Sequence, residues 1–276
     1  MTRSARCAHV PGGLALLLLL AGTTGCSKLK ARDQLVKGVQ EFKAGHYETA
    51  IDRFQESVRL DPTYPNAQTY LATAYSYQVQ PNNNTPQNLA VAQKALDGFN
   101  QVLQKNPNDV DAWRQIASID RNVMNFDKSR QDELKVIELD PKDSEANYSV
   151  GVVDWQKADK NATDLLKQNK LTDDRLGNAK LPPKVCSQLA AENTPLLNSA
   201  EQYLNKAVEL NPNYDDAMQY LNLEWRSKAE VECGNDAARK TDIAKADDWV
   251  HRAMGAAKAN EAAKERANSG GVDMTK

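Results

Sequence analysis

The sequence predicts an all-α protein built of stacked helical hairpins, on three observations. A set of residues recurs with a step of 34, from Pro107 to Pro141. Within each period apolar residues fall three and four apart, the spacing that gives an α-helix one buried face. Hydrophobic residues make up 41% of the chain at a mean hydropathy of −0.67, and much of that content is Ala and Leu rather than β-branched, which favours helices over strands.

The first unit, residues 31–64, carries Gly38, Gly45, Tyr47, Ala50, Ile51, Phe54, Val58, Leu60, Asp61 and Pro62. The third, residues 110–143, repeats the pattern with Ala112, Trp113, Ile116, Ala117, Phe126, Val136, Ile137, Leu139, Asp140 and Pro141. Each unit reads as two amphipathic helices, A and B, with the Pro after Leu-Asp stopping helix B. Small residues at Gly38, Ala50, Ala72, Ala117, Gly151 and Ala207 fall where paired helices need close approach. The second unit, 65–109, takes 43 residues from Pro65 to Pro107 against 32 in the regular unit, 11 more, and Pro81-Asn82-Asn83-Asn84-Thr85-Pro86 marks where they enter. The fourth, 144–214, takes 69 from Ser144 to Pro212, 37 more, placed around 158–194. Leu165, Leu166 and Leu171 predict a short helix there, and this insertion either fills the groove or forms a degenerate extra repeat. The fifth, 215–257, has Ala217, Leu221 and Trp225 on helix A and Ala246, Trp249, Val250 and Ala253 on helix B, with extra length between the two helices. The stretch 258–276 reads as a capping helix followed by a disordered tail from Ser269-Gly270-Gly271.

The period of 34 and these marks resemble the tetratricopeptide family. The resemblance implies a right-handed solenoid of about five helix-turn-helix repeats with inserted A–B loops, whose helix A residues line a concave, partner-binding face. It places Tyr75, Trp113 and Trp225 in the packing between helices. On the concave stripe it places Arg114, Arg121, Tyr148, Val152, Trp155 and Arg226, an aromatic and apolar cluster flanked by cations. Such residues anchor interfaces, and Trp155 is expected to serve binding with little part in stability. Leu35 and Val39 stand on the first helix A where a carboxylate clamp would carry Lys and Asn, so capture of a C-terminal carboxylate is not expected.

The N-terminus reads as a signal peptide over residues 1–25: Arg3 and Arg6, an apolar run from Gly13 to Ala21, and small residues up to Gly25. The run is shorter than the roughly 20 apolar residues that span a bilayer. Small residues before Cys26, with Ser27 after it, resemble a bacterial lipobox, although Thr23 stands where that family usually has Leu. The resemblance implies a lipidated Cys26, a tether over 26–30, and a body held at the outer membrane and facing the periplasm. The alternative is ordinary cleavage, leaving an unanchored periplasmic binding protein.

Lys and Arg number 35 against 37 Asp and Glu; without Arg3 and Arg6 the balance is 33 against 37, or −4, which argues against nucleic acid as a partner. His46 and His251 are far apart in a repeat array, so no catalytic pairing, metal, cofactor or small-molecule substrate is expected and the chain does not read as an enzyme. Cys186 and Cys233 remain in an oxidising compartment and read as a structural disulfide between adjacent repeats. A thiol-redox pair is the alternative, but the Cys-x-x-Cys spacing is lacking. The expected function is a membrane-anchored scaffold or adaptor for protein partners of the cell envelope.

Overall fold

The computed structural model describes the backbone of residues 15–174, 177–178 and 180–269, and side chains within those spans from Ser27 to residue 267. Among the described residues there are ten α-helices and no strand: α1 (Ala15–Lys43), α2 (Tyr47–Leu60), α3 (Ala67–Ser76), α4 (Pro86–Lys105), α5 (Val110–Asn122), α6 (Phe126–Leu139), α7 (Ser144–Gln168), α8 (Pro183–Leu210), α9 (Asp215–Glu230) and α10 (Asp236–Ser269). They pair in sequence as five hairpins, in the order that the repeats predict. The chain divides into two compact units, one holding α1–α4 and the other α5–α10.

In the first unit α1 and α2 meet through Ala31, Ala50 and Phe54, none of them accessible to solvent. The approach is close because a Cβ at Gly38 would stand 2.5 Å from the Phe54 ring. Ser57, also fully buried, satisfies its hydroxyl by donating to the Ala31 carbonyl at 2.8 Å. Asp61 leaves the helical region at the end of α2, as a residue before Pro must, and its carboxylate accepts from the Thr63 backbone N–H at 2.9 Å. Residues 77–85 link α3 to α4, where the Pro and Asn cluster predicts a loop. The Asn88 amide pins that loop, accepting from the Gln80 N–H at 2.8 Å and donating to the Gln80 carbonyl at 3.0 Å.

In the second unit the same cap starts two helix A segments: Asp109 accepts from the Ala112 N–H and Asp143 from the Ala146 N–H, each at 2.9 Å. The core joins Ala200, Leu204 and Ala207 of α8 to Ala217 and Leu221 of α9 and to Trp249 and Ala253 of α10. A Cβ at Gly151 would lie 2.5 Å from Leu204, so α7 reaches α8 only because that position lacks one. Asp154, 1% exposed, ties three helices together by accepting from Arg130 Nε at 2.8 Å and from the Ser199 hydroxyl at 2.6 Å.

The insertion around 158–194 departs from both readings that the sequence allows. It lengthens the fourth hairpin: Leu165 and Leu166 continue α7 instead of forming a separate helix, and α8 begins at Pro183. Its apolar residues are consumed within the hairpin, Ala162 and Leu165 against Val185 and Leu189, with Leu171, Leu181 and Val231 packed around them. Asn193 reinforces the pairing by donating to the Ala158 carbonyl at 2.8 Å. Likewise, residues 258–269 are not a separate capping helix but the end of α10, where Asn260 donates to the Asn213 carbonyl and to Asp215, both at 2.9 Å. In the fifth repeat the extra length lies in the helices, and only residues 231–235 separate α9 from α10. Ser269, where the tail is expected to start, still belongs to α10, and the rest of the expected tail lies outside the described residues.

Candidate protein-binding surface

The helix A stripe of the second unit is built from α5, α7 and α9. Its centre is an aromatic seam. Tyr148 of α7 lies 5.6 Å from the Tyr220 ring of α9 and 5.0 Å from Tyr214, and Trp155 lies 5.4 Å from Tyr220, centroid to centroid. Trp155 also donates its indole N–H to the Ser227 hydroxyl at 3.2 Å. The rings of Tyr148, Trp155 and Tyr220 are half-buried and packed against the core. Burial pushes the Tyr148 and Tyr220 hydroxyls above the usual phenolic range, so both stay neutral hydrogen-bond donors.

The six residues that the sequence places on this face separate into three kinds. Tyr148 and Trp155 of α7 both pack on Tyr220 of α9 and so join neighbouring repeats, which gives Trp155 a part in stability beyond the binding role expected of it. Val152 does not reach the surface: at 3% exposure it belongs to the core with Leu204 and Leu221, because α7 turns this position toward α8 and α9. Arg114 and Arg226 are cations already matched. Arg114 bridges Asp111 at 3.0 Å and the N-cap carboxylate Asp143 at 2.5 Å, and Arg226 bridges Asp247 at 2.7 Å. Arg121, half-buried at the end of α5, makes no ion pair with any described residue. Beneath it Glu133 of α6 is 2% exposed. Burial pushes its carboxyl up to about 8 despite Arg121 and Arg114 nearby, which favours its neutral form at pH 7.

Tyr220 is the residue that the sequence reading leaves out. Its contacts with Tyr148 and Trp155 arise from the stacking of α9 on α7, which the period of a single helix does not reveal. Trp113 and Trp225, expected in the core, are half-buried, whereas Tyr75 is buried. Trp225 instead lies under two ammonium groups, with Lys228 Nζ 4.4 Å and Lys245 Nζ 3.7 Å from the ring centroid.

Cys186 and Cys233 form a disulfide with Cα atoms 5.5 Å apart. Cys186 lies in the first turn of α8 rather than in a loop, and Cys233 in the turn before α10, so the bond fastens the lengthened fourth hairpin to the fifth. The side chain of Cys26 and residues 1–14 of the expected signal peptide lie outside the described residues. No helix among the described residues is long and apolar enough to cross a membrane.

No family model and no curated protein matches the chain. Solved structures do. A double mutant of the MamA protein, strain RS-1, is 17% identical, with 84% of this chain and 97% of that one covered at a TM-score of 0.54. MamA from residue 41 to its end, from Desulfovibrio magneticus RS-1, is also 17% identical, covering 83% and 96% at 0.54. A further MamA structure is 12% identical, covering 86% and 93% at 0.51. These neighbours are tetratricopeptide proteins, and with five consecutive helical hairpins of the expected order the chain has the tetratricopeptide-repeat fold.

Proposed function

We propose that the chain is a non-enzymatic scaffold of a bacterial cell envelope, held at the outer membrane by a lipidated Cys26 and facing the periplasm. On this reading it takes a peptide or helix of a protein partner on the helix A face of its second unit. The observation that carries the binding reading is the half-buried Tyr148, Trp155 and Tyr220 seam beside the unpaired Arg121. Aromatic and Arg side chains supply most interface energy because they bury large areas with few rotamers lost. Since Arg114 and Arg226 already have carboxylate partners, the matching segment carries an apolar or aromatic anchor and an acid placed for Arg121, not a run of acids.

A photo-crosslinker at Gln219, exposed on α9 beside this seam, should capture the partner in intact envelopes, and one at Glu209 on α8 should not. Equal capture at both positions sinks the assignment. Trp155→Ala should weaken binding of that partner by about 2 kcal/mol or more. It should also lower stability by about half of the 3–5 kcal/mol that a core Trp truncation costs, because the ring is half-buried. Arg121→Ala separates the two effects: its binding loss should come with an unchanged melting temperature. For the anchor, Cys26→Ala should release the protein from membranes washed in high salt, since once ionic contacts are screened only acyl chains would keep a body of net charge −4 on a bilayer. Retention of the variant after that wash would show that something other than acyl chains holds it.

A further inference from the structure

The outward face of α1, directly after Cys26, has a chemistry of its own. Ala31 and Gly38 turn toward α2. On the opposite side Leu29 is 66% exposed and Val36 48%, two of the few large apolar side chains left open to solvent. Seven residues apart, they lie on one line along the helix. Cations flank that line, Arg32 on one side and Lys30 on the other, both exposed, while Lys28, nearer the anchor, lies toward the Asp61 carboxylate. Asp33, the one acid on this line, is matched by Lys37 at 2.8 Å. Lys30 and Arg32 make no ion pair with any described residue. From Ser27 to Lys43 there are five basic residues and two acidic ones, a net +3 in a chain whose total is −2. Positive charge is thus concentrated at the end where the anchor would be.

The helix runs without a break from before Cys26 to Lys43. At about 1.5 Å per residue, Leu29 stands about 4.5 Å and Val36 about 15 Å from the acylated position, which is within reach of the headgroup region. Apolar residues in line between rows of Lys and Arg are the arrangement of a helix lying in a membrane interface, the apolar side chains entering and the cations meeting phosphates.

We propose that this face of α1 rests on an anionic phospholipid surface, with Leu29 and Val36 entering it and Lys30 and Arg32 pairing with lipid phosphates. The proposal rests on the lipidation of Cys26, and it adds that the first repeat is docked on the bilayer instead of swinging on a tether.

The test uses the acylated full protein carrying Val36→Cys, inserted in vesicles of phosphatidylcholine alone or of equimolar phosphatidylcholine and phosphatidylglycerol. A water-soluble maleimide should modify the new thiol about tenfold more slowly in the anionic vesicles. Adding Lys30→Glu and Arg32→Glu should restore the faster rate, while Gln101→Cys, exposed on α4, should react alike in both. Equal rates at Val36→Cys in the two lipids overturn the docking. Protection that persists in detergent and grows with protein concentration also overturns it and gives the face to a second copy of the chain. Flotation of the same samples keeps the two readings apart: protein that fails to float with either vesicle overturns the lipid anchor, whereas floating protein with equal rates overturns only the docked face.

Discussion

Replacing both Cys186 and Cys233 by Ser should lower the free energy of unfolding by about 4 kcal/mol. The bond closes a loop of 47 residues, and in the chain-entropy model a loop of that length restricts the unfolded state by about this amount. The loss should be local before it is global. The disulfide is the covalent tie between the start of α8 and the α9–α10 turn, beside which Leu181 and Val231 add a small apolar contact. Without it, amide exchange over residues 183–190 should accelerate while the amides of α2 keep their protection. Alkylation of the oxidised protein should find neither thiol, and Cys186, 4% exposed, is covered even where the reagent reaches Cys233. A double variant that unfolds at the same denaturant concentration as the parent would remove the structural role of the bond and return the pair to redox chemistry.

The hairpins are legible because each pairs a helix A and a helix B that must bury one face, because Asp-Pro or Asn-Pro stops helix B in the first four, and because an Asp caps the start of α5 and of α7. The insertion differs from the expected short helix for a physical reason. Val150, Val153, Ala158, Ala162, Leu165 and Leu166 keep helical spacing with no Gly or Pro between Gly151 and Gln168, so the continuous period itself points to a longer α7. What a period cannot supply is the neighbour. Tyr220 meets Tyr148 and Trp155 through the stacking of α9 on α7, and Val152 is core for the same reason. The buried carboxylates follow the helical period itself. Glu133 falls in the series Phe126, Ser129, Glu133, Val136, spaced three, four and three, which puts it on the buried stripe of α6. Glu224 follows Ala217 and Leu221 on α9 in the same way.

Those carboxylates make stability fall as pH rises. Burial pushes Glu133, Glu224 and Glu230 each up to about 8 from an ordinary value of 4.5. Between those values the native chain holds protons that the unfolded chain has released. Raising pH through this window therefore favours unfolding, at up to about 1.4 kcal/mol per pH unit for each group. The protein should be most stable near about pH 5 and lose stability steadily toward about pH 8. Glu133 is the cleanest group to remove. Glu224 has Lys228 at 3.2 Å, an ammonium whose own proton affinity is raised by that carboxylate, so the two share their titration. Glu230 faces Asp173, Asp159 and Asp174, which add to its shift. Around Glu133 stand Arg121 and Arg114, the Ser149 hydroxyl and Asp143, and burial outweighs the cations. Glu133→Gln keeps the shape and the neutral form, so it should match the parent at pH 5 within about 1 kcal/mol and exceed it at pH 8 by on the order of 3–4 kcal/mol. Chemical denaturation of both proteins across this range decides the matter. Parallel stability curves would mean that Glu133 ionises in the native state near its ordinary value, with Arg121 turned inward as its partner and withdrawn from the binding face.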